Sequence, residues 1–87
     1  MKAYVTSYAL TLGILEVEAR TLDNCNTMIE YSHRPFYVQY AHAGEWFTSR
    51  DEAIADAESQ RTKKIASLRR QLAELEGLRF DVVGAQP

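Results

Sequence analysis

Apolar and polar residues alternate through the first half of the chain. The clearest alternation covers residues 14–21, where Leu15, Val17 and Ala19 are apolar and the residues between them are charged. Successive side chains of a strand point to opposite faces, so this segment is predicted to be a half-buried antiparallel strand. Segments rich in β-branched and aromatic residues predict four further strands, at residues 3–12, 27–32, 36–41 and 46–48.

The segments between these strands carry turn-forming residues. Gly13 is a candidate turn residue, and residues 23–26 form an Asp/Asn-rich cluster that predicts a second turn. Pro35 is expected to break the third strand, because proline cannot donate a ladder hydrogen bond. Residues 42–45 are predicted to form a hairpin loop between the fourth and fifth strands.

A long helix is predicted after the last strand. Ser49 is a candidate N-cap, and Glu52 follows three residues later, as in a capping box. No Pro or Gly interrupts residues 50–76, and Gly77 is a natural helix stop. About 27 residues give a helix of roughly 40 Å, which exceeds the diameter of roughly 30 Å expected of a compact domain of this length.

These elements predict one α+β domain spanning residues 1–87. The expected architecture is a four- to five-stranded antiparallel meander followed by one long C-terminal helix. Residues 1–48 form the sheet, 49–77 the helix and 78–87 a tail. Part of the tail is apolar, which favours either a short edge strand or packing back on the helix, and its last residues are expected to fray.

The second half of the helix carries an apolar stripe with a, d spacing. The stripe consists of Ile65, Leu68, Leu72 and Leu75. It covers less than two heptads, because the same positions further back hold Arg61 and Glu58. Two interpretations are open: the stripe completes the core under the sheet and tail, or it protrudes and pairs with a second copy or a partner helix.

Basic and aromatic residues supply the other candidates for contact with a partner. Five cations fall within residues 61–70, which indicates either a solvated helix surface or a basic patch for an acidic partner. The sheet holds more aromatic residues than one face can bury, and exposed Tyr and Trp are typical interface anchors. The candidate partner-binding residues are Tyr37, Tyr40, Trp46, Arg61, Lys64, Arg69 and Arg70.

Composition narrows the classes of partner and compartment. The net charge of −2 is unlike that of a nonspecific nucleic-acid binder, which is usually basic, and no aromatic residue interrupts the cations to stack bases. The single cysteine excludes an intrachain disulfide and favours a reducing cytosol. The sequence has neither a signal-like start nor a membrane-length apolar run, so a cytoplasmic location without membrane contact is expected.

No arrangement typical of catalysis or metal binding is found in the sequence. His33 and His42 lie nine residues apart, without a CxxC, HxxxH or HExxH motif. Cys25 lies between two Asn residues, with no neighbouring cation to lower its pKa. Glu16 and Glu18 share a strand face whose alternation with Arg20 fits an exposed surface better than acid–base catalysis. We therefore expect no enzyme activity, no cofactor and no metal.

Several stretches resemble small uncharacterised proteins of bacteriophages and prophages. The resemblance lies in residues 4–11 (YVTSYALT), 13–14 (GI), 17–18 (VE), 46–47 (WF), 50–53 (RDEA) and 63–68 (KKIASL). It implies no catalytic residues. Small phage proteins of this size often disable a host defence by occupying a host protein, as anti-CRISPR proteins do.

The resemblance thus implies a non-enzymatic inhibitor that binds a bacterial host protein, such as a CRISPR effector complex or another defence component. The first alternative is a small nucleic-acid-binding or regulatory protein that uses the basic helix patch. The second is a structural homodimer that pairs through the apolar stripe.

Overall fold

A computed structural model describes residues 1–22, 25–34, 37–82 and 84, with the backbone alone at residues 25, 26, 33 and 34. The five strands and the helix are β1 (Lys2–Val5), β2 (Leu15–Leu22), β3 (Cys25–Arg34), β4 (Tyr37–Ala41), β5 (Trp46–Phe47) and α1 (Arg50–Glu76). All paired strands are antiparallel. The predicted fold class is confirmed: an antiparallel sheet is followed by one long helix.

The first strand is much shorter than predicted. It ends at Val5, and residues 7–12 turn instead of extending. The carbonyl of Tyr8 accepts hydrogen bonds from the N–H groups of Thr11, Leu12 and Gly13 at 3.0, 2.8 and 3.2 Å. Gly13 has a φ of 92°, which L-residues rarely adopt. These local bonds outweigh the β propensity of the tyrosine- and threonine-rich segment.

The fifth strand does not form a hairpin with the fourth. The strand order is β4-β3-β2-β1-β5, so β1 to β4 form the predicted meander while β5 joins the far edge beside β1. Residues 42–45 therefore connect opposite edges of the sheet. They turn at Gly44, whose φ is 85°, with the Glu45 N–H bonded to the His42 carbonyl at 2.9 Å.

The sheet is strongly curled. In a flat sheet, β3 and β5 would lie about 14 Å apart, because two strands separate them. The indole N–H of Trp46 on β5 nevertheless donates to the Thr27 carbonyl on β3 at 2.9 Å. Thr6, just after β1, also bonds through its N–H to the Glu45 carbonyl at 2.9 Å. The curl is what allows a four-residue connection to join the two edges.

The concave side of the curled sheet holds the hydrophobic core. Its buried residues come from four strands, with Leu15 and Trp46 packed at the margin. They are Ala3, Val5, Val17, Ala19, Ile29, Tyr31 and Ala41. The alternation predicted for β2 is confirmed, since Val17 and Ala19 are buried while their charged neighbours are exposed. The core is small, and the helix adds one fully buried residue, Ala53.

Tyr31 places a phenol at the edge of this core, and we expect it to make stability sensitive to high pH. Burial raises the pKa of Tyr31 above its usual 10.0, and nearby Tyr8 and Glu45 raise it further. The unfolded chain loses this proton near pH 10 while the folded chain retains it, so stability falls as the pH rises through that value. Comparing urea midpoints at about pH 9 and about pH 11 should show a steeper loss for the wild type than for Tyr31→Phe.

The control for this comparison is Tyr40→Phe, which removes an exposed phenol instead. The Tyr31 hydroxyl donates to Gln39 Oε1 at 3.0 Å, so Tyr31→Phe also carries a pH-independent cost of about 1 kcal/mol. Parallel pH profiles for the wild type and Tyr31→Phe would contradict the assigned pKa shift.

The helix begins and ends where the sequence predicts. The Ser49 hydroxyl accepts a hydrogen bond from the Glu52 N–H at 3.3 Å. The return bond from the Ser49 N–H to the Glu52 carboxylate, required for a full capping box, is absent from the described part of the chain. At the other end the helix stops at Gly77, as predicted, although this glycine has a φ of −85° and is not left-handed.

Replacing the cap with Ser49→Ala should lower the free energy of unfolding by about 1 kcal/mol, because the Glu52 N–H loses its acceptor. Urea denaturation followed by far-UV circular dichroism measures this change. Ser59→Ala is the control, because that exposed mid-helix serine caps nothing and alanine is the better helix former. Equal effects of the two substitutions would show that Ser49 has no capping role.

The remaining expectations concern turns and the tail. Asp23, Asn24, Pro35 and Phe36, and the side chains of Cys25 and His33, lie outside the described residues. The backbone of β3 continues through His33 to Arg34, which extends the predicted third strand. Residues 78–82 form neither the edge strand nor the folded-back packing considered for the tail; Leu78, Phe80 and Val82 are all exposed.

Candidate protein-binding surface

The helix projects beyond the sheet. It packs on β1 and β5. Among the described residues, Gln60 is the farthest along the helix to hydrogen-bond the sheet region, its side-chain amide donating at 2.9 Å to the carbonyl of Thr6, just after β1. The following residues 61–76, here called the arm, extend for roughly 24 Å. The molecule is accordingly long, with extents of 65 × 31 × 24 Å and a radius of gyration of 19.9 Å. A compact domain of this length would have a radius of gyration of about 12 Å.

The apolar stripe lies on the arm and remains exposed. The exposed fractions are 41% for Ile65, 50% for Leu68, 55% for Leu72 and 66% for Leu75. Of the two interpretations of the sequence, completion of the core is therefore wrong. Pairing with a second copy or a partner helix is the interpretation that this exposure leaves open.

The stripe is on a different side of the helix from the face that meets the sheet. Ala53, Ala57 and Gln60 are buried or half-buried on the sheet side. At 3.6 residues per turn, the centre of the stripe lies roughly 75° around the helix axis from the centre of these residues. A partner could therefore lie along the stripe without displacing the helix from the sheet.

The arm has the surface pattern of a coiled-coil helix. Ile65 and Leu72 occupy a positions, and Leu68 and Leu75 occupy d positions. The other positions are arranged around this seam: Lys64 and Gln71 at g, Arg69 and Glu76 at e, Lys63 and Arg70 at f, and Ala66 and Ala73 at b. All of these residues are exposed. The seam thus has two basic flanks near its start and an acidic flank at its end.

The five cations do not form a single basic face. Lys63 and Arg70 lie on the side opposite the stripe, whereas Lys64 and Arg69 lie on its two edges. Arg61 continues the stripe itself and forms an ion pair with Glu58. The predicted basic patch is therefore a ring of charges around the arm.

The aromatic candidates lie apart from the arm. Tyr37 and Tyr40 are exposed on the edge strand β4. The helix packs mainly on β1 and β5, not on this strand. Trp46 is half-buried against the core and held by its bond to Thr27. The structure thus separates the seven predicted partner-binding residues into four on the arm, two on β4 and one that supports the core.

Two features of this surface were missed by the sequence analysis. Leu78 follows the stripe, is exposed, and lines a shallow groove with Gln71, Glu74 and Leu75. Gln60, which also bonds Asp56 at 2.8 Å, marks where the arm begins. A glutamine among polar and charged neighbours gave no signal in the sequence, because the Thr6 carbonyl that it binds becomes available only once β1 ends.

Among the side chains that the structure describes, which exclude those of Cys25 and His33, no three from His, Cys, Asp or Glu are placed so that they could hold a metal ion. No helix in the described chain is long and apolar enough to cross a membrane.

Comparison with protein-family models, curated proteins and solved structures found no match.

Proposed function

We propose that this chain is a non-enzymatic binding protein whose arm docks on another protein. The observation that supports the proposal is the exposed apolar stripe on a helix that extends beyond its own domain. Exposed apolar surface of this regularity is typical of a helix that binds in a groove or against another helix. The sheet and the first helical turns would hold the arm in place.

The stripe alone supplies a modest binding energy. Burying the exposed part of each of its four side chains is worth roughly 1 kcal/mol, and a matching partner face contributes a similar amount. The gross gain of about 8 kcal/mol must also offset the freedom lost on association. Flanking charges or the neighbouring Leu78 would therefore have to add to the contact.

The biological setting that we propose is inhibition of a bacterial defence complex in the host cytosol by a phage-encoded protein. The support for this setting is the resemblance of residues 4–11 and 63–68 to phage and prophage proteins. A nucleic-acid partner is less well supported, because the arm's cations encircle the helix instead of forming one surface.

The proposal is tested by capture from a bacterial lysate that contains defence systems. Immobilised wild-type protein should retain a partner, and Leu68→Glu/Leu72→Glu should lose it because two charges then interrupt the stripe. The matched control is Ala66→Glu/Ala73→Glu, which adds the same two charges on the far side of the arm. Circular dichroism verifies that all three proteins are folded. Equal capture by both variants, or capture of nothing by the wild type, would contradict the proposal.

A further inference from the structure

We infer that the stripe binds an amphipathic helix with acidic residues beside its own apolar seam, and that it does not bind a second copy of this chain. The inference rests on the proposed function and specifies the chemistry of the partner. It comes from the charges that flank the stripe.

Parallel pairing of two copies would bring like charges together. In a parallel pair of helices, each g residue faces the next e residue of the other helix. Lys64 would therefore face Arg69 of the second copy, and the same repulsion would occur again by symmetry. The following pair, Gln71 with Glu76, offers no attraction between opposite charges to offset it.

Antiparallel pairing meets the same obstacle. The four apolar layers align when Leu68 lies against Leu72 of the second copy and Ile65 lies against Leu75. In an antiparallel pair, e residues face e residues, so Arg69 would then face Arg69 of the second copy. Self-association is therefore opposed in both orientations by the residues on the edges of the stripe.

A partner helix with carboxylates beside its seam would reverse these interactions. Glu or Asp opposite Lys64 and Arg69 would replace repulsion with attraction while the apolar layers remained the same. Arg61, which extends the seam by one position, would also meet an acidic residue favourably. The stripe thus selects a partner by charge as well as by apolar contact.

The chain itself can be converted into the required probe. Lys64→Glu/Arg69→Glu keeps the seam and makes both flanks acidic. This variant alone should also repel itself, because glutamates then face glutamates. Mixed with wild-type protein, it places opposite charges across the seam in either orientation. We expect the mixture to associate roughly tenfold more strongly than either protein alone.

Sedimentation equilibrium at high protein concentration measures this association against the mass of 9.9 kDa for one chain. Added salt should weaken the mixed complex. The control is Lys63→Glu/Arg70→Glu, which reverses the same number of charges on the opposite side of the arm and should not associate with the wild type.

Three results would overturn the inference. One is a mixture that associates no better than its components, and another is wild-type protein that dimerises through the stripe. The third is stripe-dependent binding of wild-type protein to anionic phosphatidylserine vesicles. Failure of the proposed function would give a different result in the lysate experiment. The wild-type protein would then capture no partner, or Leu68→Glu/Leu72→Glu would capture the same partner equally well.

Discussion

Ile29→Ala is expected to lower the free energy of unfolding by about 2–5 kcal/mol. Ile29 is fully buried and is among the largest fully buried side chains of the described residues. It lies on β3 between Thr21 of β2 and Ala41 of β4, so the cavity left by alanine would open in the middle of the sheet. Small domains have limited stability, and a loss of this size leaves a substantial unfolded fraction.

Urea denaturation followed by the fluorescence of Trp46 measures this loss. Leu72→Ala is the control, because its exposed side chain should change stability by no more than about 0.5 kcal/mol. Similar losses for Ile29→Ala and Leu72→Ala would mean that the stripe belongs to the core after all.

Ala66→Pro is expected to melt the arm without unfolding the sheet. Proline removes one helical hydrogen bond and clashes with the preceding turn, at a cost of about 3 kcal/mol or more. Every arm residue except the half-buried Ser67 is exposed, so packing against described residues offsets little of that cost. The helical piece remaining after residue 66 is too short to be stable alone. The far-UV signal of the helix should fall by roughly 40–60%, the fractions of the 27-residue α1 that lie from residue 66 or from residue 61 to its end.

The urea midpoint reported by Trp46 should meanwhile remain at its wild-type value. Ala66→Gln is the control, because glutamine is nearly as good a helix former and keeps the backbone N–H. A lower Trp46 midpoint in Ala66→Pro would show that the arm and the core unfold as one unit.

Local signals explain why the helix could be predicted and the sheet only in part. Ser49, Glu52 and Gly77 act within their own turns, so their positions in the sequence identify both ends of α1. The length of β1 depended on a competition between strand pairing and the hydrogen bonds to the Tyr8 carbonyl. The β propensity of Thr and Tyr does not decide between these two outcomes, because both residue types are compatible with a strand and with a turn.

The position of β5 depended on contacts distant in sequence. A four-residue connection with Gly44 is typical of a hairpin, and β4 precedes it directly. The structure instead pairs β5 with β1, because the curl of the sheet brings the two edges within reach. Nothing near residues 42–45 encodes that curl; it follows from how the whole core closes around Ile29 and Tyr31.

The candidate surface, like the sheet, could be predicted from the sequence only in part. The heptad spacing of the stripe was visible in the sequence, but its exposure was not. Spacing fixes which residues share a side of a helix, whereas exposure depends on how far the sheet extends beneath it. Here the bond from Gln60 to the Thr6 carbonyl is followed by a helix segment whose residues are exposed apart from the half-buried Ser67.

Because the arm is surrounded by solvent, hydrogen exchange along it can reveal whether a partner is bound. Because its residues are largely exposed, its backbone hydrogen bonds should open more readily than those of the sheet. Its last turn also contains Glu74 and Glu76 with no basic residue to complement the negative end of the helix dipole. Amide hydrogens of residues 61–76 should therefore exchange with deuterium well before those of β1 to β4. Slower exchange confined to this segment would report a bound molecule without any label on either component.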